Sequence, residues 1–199
     1  MATTVFLVRH AAHDRVDAML CGRMPGVGLG ELGRHQAVLL AERLHCAGVQ
    51  AVHTSPLRRA RETAEPLAAR LGALLHVEHG VTEIDFGDWT GCSFEALGSD
   101  PRWLHWNEAR AAARPPNGES MVEAQSRAVD AVERLRDAHP NGRVAVVSHG
   151  DVIKSVLSAF LGLSLDHHHR FDISPASFST LSLWPGGGRV LDMNGTITA

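Results

Sequence analysis

The chain has 199 residues, of which 44% are apolar and 21% are charged, and its formal net charge is −3. A chain of this length and composition can bury a core without disulfides or a structural metal, so we expect one domain over residues 1–199. The small negative charge excludes an overall attraction to nucleic acid or to an anionic membrane surface. A bound anion must therefore be held by a local group of basic residues.

The three cysteines, Cys21, Cys46 and Cys92, are odd in number and form no CxxC pair. This usage indicates a reducing compartment and argues against a disulfide framework or a structural zinc site. The first residues, MATTVFLVRH, lack a basic leader, and no segment approaches the roughly 18 apolar residues of a membrane span. We therefore expect a cytoplasmic protein without a membrane segment.

The first two predicted elements are a strand and a helix. The run at residues 5–8 is apolar at every position, as expected for a strand that is covered on both faces. Residues 31–47 carry apolar side chains at helical spacing, and Gly48 is placed to end that helix. The apolar positions are Leu32, Val38, Leu40, Ala41 and Leu44.

A second strand, a second helix and a third strand follow. The strands are predicted at residues 49–53 and 74–77. The helix between them is predicted to start at Pro56, to reach about Leu71, and to be capped by Ser55.

The second half of the chain is less regular between residues 80 and 117, where Trp103 and Trp106 can belong to the core or to a lid over a substrate. Ser120 and Glu123 form a capping box for a helix that reaches about residue 139. The later elements are a strand at 144–147, a helix at 152–160, and two strands at 178–183 and 189–193.

Strands that alternate with helices predict an α/β fold with a mostly parallel central sheet and helices on both faces. In such sheets, ligands bind outside the carboxyl ends of the strands. His10 in LVRHA and His149 in VVSHGD each follow a predicted strand, so we expect both at this edge. For the three histidines in DHHHR, residues 166–170, a solvated loop is favoured over a metal site.

Basic and acidic residues follow other predicted strands. Arg58, Arg59 and Arg61 lie in SPLRRARETA, and Glu83 and Asp85 lie in EIDFGDWTG. Arginines match phosphate oxygens bidentately and stay charged, and a neutral imidazole can act as a nucleophile. A carboxylic acid in a covered pocket can protonate a leaving alkoxide. These residue types together indicate phosphoryl transfer.

The motifs LVRHA, SPLRRARETA, EIDFGDWTG, GES and VVSHGD, in this order, resemble the histidine phosphatase superfamily, also called the phosphoglycerate mutase-like family. The resemblance covers nearly the whole chain and implies the phosphoglycerate mutase-like fold. It implies that His10 is the phosphorylated nucleophile, that Arg9 and Arg59 bind phosphate, and that Glu83 is the proton donor. His149 would bind and stabilise the transferring group. No metal and no cofactor are implied.

The segment RHAAHDRV departs from the RHGET pattern that is common in the family. Ala11, Ala12 and His13 replace Gly, Glu and Thr, and Val16 stands where an Asn side chain would reach phosphate. The Ala11 N–H can still serve the phosphate if φ is negative. We hypothesise that His13 supplies the donor that is missing at Val16.

Candidates for the substrate pocket lie near these motifs, although a plain turn is an equal alternative for the segment after Cys21. The candidates are His13, Gly22, Arg23 and Gly150. Arg58 and Arg61 are favoured as solvated or structural residues, and Glu83 is favoured over Asp85 as the acid.

The function predicted from these residues is a metal-independent phosphatase that hydrolyses small phosphate monoesters through a phosphohistidine. A cofactor-dependent phosphoglycerate mutase is the alternative within the same fold, although the short middle segment and tail favour hydrolysis. A non-catalytic module that binds phospholigands is the alternative from another class. The expected partner is a small-molecule phosphate ester, with no nucleic acid and no membrane, and a homodimer is left open.

Overall fold

The computed structural model describes residues 2–196, which contain a six-stranded sheet. Its strands are β1 (Thr3–Arg9), β2 (Ala51–Thr54), β3 (Leu74–Val77), β4 (Arg143–Ser148), β5 (Phe178–Trp184) and β6 (Gly187–Gly195). The strand order is β3-β2-β4-β1-β5-β6; β1 to β4 are mutually parallel, and β5 and β6 run antiparallel at one edge. The predicted α/β class with a mostly parallel sheet is confirmed.

Helices pack on both faces of this sheet. In chain order they are α1 (Glu31–Leu44), α2 (Arg58–Leu71), α3 (Phe94–Gly98), α4 (Pro101–Glu108), α5 (Met121–Ala138) and α6 (Gly150–Leu161). The predicted capping box of α5 is present, because the Ser120 side chain accepts from the Glu123 N–H and Glu123 bonds back to the Ser120 backbone.

The strand β1 is apolar at successive positions because both of its faces are buried. Val5 and Leu7 belong to a core that includes side chains of α5 and α6. Phe6 and Val8 belong to a second core, on the other face, that includes side chains of α1 and α2. Full burial of such side chains contributes about 1.5–3 kcal/mol each, so this short strand joins both layers of the molecule.

Two of the predicted core positions in α1 are wrong, because Leu32 is 64% exposed and Val38 is 52% exposed. The buried stripe instead starts at Gly33, where a Cβ would collide with the backbone of Ala12. This close approach decides which side of α1 faces inward. The helix also ends at residue 44 rather than 47, because residues 45–47 tighten into a 3₁₀ turn before Gly48.

The start of α2 also differs from the prediction. The helix begins at Arg58 rather than Pro56, and Leu57 occupies the N-cap position without a side-chain bond. Ser55 is therefore not the cap. Its Oγ accepts the Leu57 N–H at 3.3 Å within a turn that precedes the helix, and it also bonds His149 Nε2 at 2.8 Å.

An aromatic cluster fills the less regular segment between β3 and α5. Trp106 is fully buried, and its ring meets the rings of Phe86 and Trp89 edge-on at centroid distances of 6.3 Å. Trp103 packs edge-on against Trp89 at 5.4 Å. Of the two roles open for Trp106, the structure therefore shows a core residue.

Within residues 2–196, no helix is long and apolar enough to cross a membrane. The predicted domain span of 1–199 includes Met1 and residues 197–199, which lie outside the described residues. The single domain, the homodimer and the cytoplasmic location stay predictions.

Candidate active site

The register of two parallel strands brings two histidines together. Arg9 at the end of β1 pairs with Ser148 at the end of β4, so the residues that follow them, His10 and His149, emerge side by side. Their ring centroids lie 5.2 Å apart. His10 lines a cavity of about 230 Å³ at the carboxyl edge of the sheet, where α/β proteins bind ligands, and the fully buried His149 lies next to it.

The two ring nitrogens of His10 have different hydrogen-bond partners. Nδ1 lies 2.8 Å from the Ala11 carbonyl oxygen, which can only accept, so this nitrogen carries the proton. Nε2 accepts from Arg59 Nε at 3.2 Å. Burial, followed by the positive charge of Arg59, holds the pKa of His10 well below 6.5. At neutral pH the ring is therefore uncharged, with an unprotonated Nε2.

Arg59 is the cation at the centre of the site. The side chain comes from the first turn of α2 and is only 2% exposed. Its Nη2 donates to the Gly22 carbonyl at 2.8 Å and lies 3.2 Å from His149 Nδ1. Its Nη1 is buried and has no hydrogen-bond partner among the residues that the structure describes.

Arg9 lies beside the N-terminus of α6. Its Nη1 donates to the Ile173 carbonyl at 2.5 Å, while its Nε is buried without a partner in the described part of the chain. The side chain passes over Gly150, where a Cβ would come within 3.3 Å of Arg9 Nε. Gly150 thus lines the cavity and allows the guanidinium to approach the helix end, where backbone amides favour an anion.

His149 is held from both ring nitrogens and is fully buried. Because a guanidinium only donates, Arg59 makes Nδ1 the acceptor, and the Nε2 proton points to Ser55 Oγ at 2.8 Å. Burial, Arg59 and His10 together hold the pKa of His149 well below 6.5. This imidazole is also neutral at pH 7.

Glu83 reaches the same cluster from the segment after β3. Its Oε2 lies 3.8 Å from His149 Nδ1 and 4.0 Å from Arg59 Nη2, and its Oε1 accepts the Ile84 N–H at 3.0 Å. Burial, with the negative charge of Asp151 as the next cause, raises the pKa of Glu83 to about 7. The carboxyl group can therefore carry a proton at neutral pH.

The unusual segment after His10 contributes a third imidazole. The His13 ring stacks on the His10 ring at 5.5 Å, and both His13 and Val16 line the cavity. His13 Nδ1 accepts the Arg15 N–H at 3.3 Å, which leaves the ring proton on Nε2. Burial and Arg59 lower the pKa of His13 to about 4.

The Ala11 N–H does not face the cavity as the sequence suggested. It donates to Thr63 Oγ1 at 3.0 Å, and Thr63 in turn donates to the Arg59 carbonyl at 2.8 Å. The first turns of α2 thus anchor the segment after β1, and this backbone donor is already engaged.

The two pocket candidates that follow Cys21, Gly22 and Arg23, lie in different surroundings. Gly22 lines the cavity with φ at +46°, and its carbonyl holds Arg59. Arg23 is not among the residues that line the cavity, so its place in a substrate pocket stays a prediction. Its Nε donates to the Glu83 carbonyl at 2.7 Å and its Nη2 to Glu119 at 3.0 Å, because the carboxylate of Glu119 draws the guanidinium beneath the Glu83 loop.

Arg58 and Arg61 of α2, which the sequence predicts to be solvated or structural, are exposed. The side chain of Arg58 is 64% exposed and pairs with Glu62, and that of Arg61 is 55% exposed and pairs with Glu65. Such pairs contribute little to stability.

The sequence motifs do not identify several residues that lie near the site. Asp151, Lys154 and Asp172 also line the cavity. His168 is only 7% exposed and bonds Asp151, so the prediction of a solvated loop is wrong for this residue. The motif SHGD places the acidic residue Asp151 in the first turn of a helix, which is a signal visible in the sequence. Its partners Arg110 and His168, however, come from segments that carry no motif.

Two neutral imidazoles, two arginines and a carboxyl group with a raised pKa, gathered at the carboxyl ends of parallel strands, define a site of the kind that binds and transfers a phosphoryl group. The family model of the histidine phosphatase superfamily (branch 1) matches residues 5–196. The chain belongs to the histidine phosphatase superfamily, and the family and enzyme class predicted from its motifs are confirmed.

Named relatives and solved structures agree with this assignment. Phosphoserine phosphatase 1 of Hydrogenobacter thermophilus is 30% identical over 96% of this chain and 91% of its own length. A Photorhabdus laumondii protein named "Probable phosphoglycerate mutase" is 29% identical over 98% of this chain and 93% of its own. The native structure of a mycobacterial glucosyl-3-phosphoglycerate phosphatase, at 28% identity, superposes with a TM-score of 0.88 over 98% of this chain and all of that one.

Proposed function

We propose that this chain hydrolyses small phosphate monoesters, with His10 as the nucleophile that becomes phosphorylated and Glu83 as the proton donor. One observation carries the proposal. An imidazole whose Nε2 is unprotonated shares Arg59 with a carboxyl group whose pKa is raised to about 7. The nucleophile and the acid are therefore in the required protonation states at the same pH.

The buried arginine atoms support binding of the phosphoryl group. Arg59 Nη1 and Arg9 Nε are buried donors without partners in the described residues. A buried unpaired donor costs about 1–3 kcal/mol, and phosphoryl oxygens relieve this cost with charge-assisted bonds. In this proposal Arg59 exchanges its contact with His10 Nε2 for a phosphoryl oxygen when the ester binds, which frees the nucleophile.

In the first step, His10 Nε2 forms a bond to phosphorus while the bond from phosphorus to the leaving oxygen breaks. Glu83 transfers its proton to that oxygen, so the alcohol leaves uncharged. The phosphorylated ring is stabilised because Nδ1 keeps its proton on the Ala11 carbonyl. In the second step, the Glu83 carboxylate takes a proton from water, whose oxygen attacks phosphorus and releases phosphate and neutral His10.

The cavity wall that remains for the leaving alcohol includes the apolar side chains of Met19, Leu20 and Phe94 and the cation Lys154. The carboxylates of Asp17, Asp151 and Asp172 also line it. The Lys154 side chain is 13% exposed, and its carboxylate partner at 3.5 Å, Asp172, is 90% exposed. Because such an exposed pair is weak, Lys154 can bind a second anionic group. Phosphoserine and glucosyl-3-phosphoglycerate, named for two relatives, both carry a carboxylate.

The test of this function is the substitution His10→Ala. We expect loss of turnover of phosphate esters and loss of the acid-labile phosphoenzyme that forms with a radiolabelled ester. His35→Ala, in an exposed part of α1, is the matched control and should keep both. Turnover retained by His10→Ala would contradict the mechanism. Phosphate binding by the wild type without turnover of any ester would support the non-catalytic binding module instead.

A phosphoglycerate mutase is the second candidate, because a relative of similar length carries that name. Incubation with 3-phosphoglycerate and a bisphosphoglycerate primer separates the two functions. Release of inorganic phosphate supports the phosphatase, whereas isomerisation without release supports the mutase.

A further inference from the structure

A charged cluster that contains two buried side chains, Arg110 and His168, lies against the cavity and has no part in the steps described above. Asp151, in the first turn of α6, lines the cavity. Its Oδ2 accepts from Arg110 Nη1 at 3.3 Å, and its Oδ1 accepts from His168 Nε2 at 3.2 Å. Arg110 and His168 are each 7% exposed. The carboxylate is therefore held in one position by donors from two other segments.

Arg110 is itself fixed in place. Its Nη2 donates to Asn107 Oδ1 at 2.7 Å, and its guanidinium lies 5.3 Å from the centre of the buried Trp106 ring. These contacts hold the guanidinium against the Asp151 carboxylate. The cluster consequently places a negative charge at a defined point on the cavity wall, paired with the positive charge of Arg110.

We propose that Asp151 is a positioning residue that keeps the proton on Glu83 at neutral pH, so that Glu83 can protonate the leaving group. The inference rests on the proposed role of Glu83 as the proton donor. Both carboxyl groups line the same cavity, and a nearby negative charge disfavours ionisation of a second carboxyl group. Asp151 is the charge that acts in this direction on Glu83, after burial.

The charges around each carboxyl group decide which of the two holds the proton. Burial alone would raise the pKa of Asp151, but Arg110, His168 and Lys154 hold it well below its usual range. Asp151 therefore stays ionised.

Glu83 faces a different set of groups. Arg59 and Arg9 lower its pKa and the Ile84 N–H bonds its carboxylate, but burial and Asp151 outweigh them. Arg23 and Arg127 donate to the Glu83 backbone carbonyl, and His149, beside its carboxyl group, is neutral at pH 7 because burial lowers its pKa. Near neutral pH, Glu83 is consequently the carboxyl group that can carry a proton, whereas Asp151 stays ionised.

The substitution Asp151→Asn tests this inference. Removal of the negative charge lowers the pKa of Glu83, so Glu83 loses its proton at a lower pH. With an alkyl phosphate, whose leaving group needs a proton, we expect the alkaline limb of the kcat/KM profile to move down by about one pH unit. The carboxyl band of Glu83 in infrared titrations of the ligand-free protein should move by the same amount.

Asp172→Asn is the matched control. Asp172 also lines the cavity, and the substitution removes the same charge, but its side chain is 90% exposed, so solvent screens its effect on Glu83. We expect both its alkaline limb and its infrared titration to match the wild type. An equal shift in this control would overturn the proposal in favour of a general effect of cavity charge.

A second variant gives a shift of the opposite sign. Arg110→Gln removes the cation that compensates Asp151, so the pKa of Glu83 should rise and the alkaline limb should move to higher pH.

A lower plateau with unshifted limbs in Asp151→Asn would show a purely structural role and would overturn the proposal. If Asp151→Asn does not fold, an unshifted or downward limb in Arg110→Gln overturns it instead. If the wild type hydrolyses no ester, the proposed function fails, and the infrared titration still tests the effect of Asp151 on Glu83.

Discussion

At the scale of single residues, the protonation states of His10 and Glu83 set the pH range of the proposed reaction. His10 must be neutral to attack, and its pKa lies well below 6.5 because the ring is buried beside Arg59. Glu83 must be protonated, and its pKa is about 7. The rate should therefore rise through an acid limb below about 6.5, the ordinary value for histidine, and fall through an alkaline limb near 7.

Glu83→Gln should remove the alkaline limb for alkyl phosphates and lower kcat/KM by about 10²–10⁴-fold, the usual contribution of a general acid. p-Nitrophenyl phosphate, whose leaving anion is stable without a proton, should lose much less activity in the first step. Pre-steady-state release of p-nitrophenol measures that step separately. An alkaline limb that persists in Glu83→Gln would show that another group donates the proton.

His13→Ala tests whether this residue supplies the donor that is missing at Val16. The His13 ring carries its proton on Nε2 and lines the cavity, so it can donate to a phosphoryl oxygen. A neutral hydrogen bond contributes about 0.5–1.5 kcal/mol, which corresponds to a rise of about 2–10-fold in KM and in the inhibition constant of inorganic phosphate. His13→Gln, which keeps an N–H donor, should recover part of this loss. Unchanged kinetics in His13→Ala would remove the hypothesis.

At the scale of elements, the contact between α1 and the segment after β1 holds the site from behind. Gly33 packs on the backbone of Ala12 with no space for a Cβ, and the Ala12 N–H donates to Gln36 at 3.0 Å. The first two turns of α1 thus fix the backbone next to His10 and His13. A change in α1 can therefore alter the site without touching a catalytic side chain.

Gly33→Ala should destabilise the protein by about 1–3 kcal/mol, because the added methyl group overpacks a backbone contact. The expected fall in Tm is about 2–4 °C per kcal/mol for a chain of this size. Gly98→Ala is the control, because a Cβ at Gly98 meets nothing within 4 Å. Thermal unfolding followed by circular dichroism measures both. Equal Tm values for the two variants would contradict the close packing of α1.

For the whole molecule, buried neutral histidines make stability depend on pH. The folded pKa lies below the ordinary 6.5 for His10, His13, His53 and His149. Below pH 6.5 the unfolded chain therefore binds more protons than the folded one, and stability is lost as pH falls toward the folded values, about 4 for His13 and His53. Glu83, with its raised pKa, acts in the opposite direction but is a single group.

We therefore expect Tm to fall by at least about 4 °C between pH 7.5 and pH 5, which corresponds to a loss of about 1–2 kcal/mol. His53→Gln removes one of these histidines at a position that does not line the cavity and should reduce this fall. Differential scanning calorimetry at the two pH values measures it. A Tm that rises on acidification would show that carboxyl groups, not these histidines, control the acid stability.

The sequence predicts the strands, the order of the motifs and the main candidates for the site, because each follows from local patterns. The apolar run before Arg9 and His10 predicts a buried strand, and the end of a buried parallel strand is where a ligand site forms. The assignments that failed, Leu32 and Val38 as core residues of α1 and Ser55 as a cap, depend on which partner another segment presents. Such partners leave no periodic signal in the chain.

By itself the sequence determined the α/β class, the family and the set of titratable residues that the site draws on, since these depend on residue type and spacing along the chain. Only the tertiary structure decided which nitrogen of His10 carries the proton and why the pKa of Glu83 is raised. It also decided that Asp151 is held between Arg110 and His168. The physical reason is that a pKa depends on burial and on the charges within a few ångströms. Both arise when segments far apart in the chain pack together.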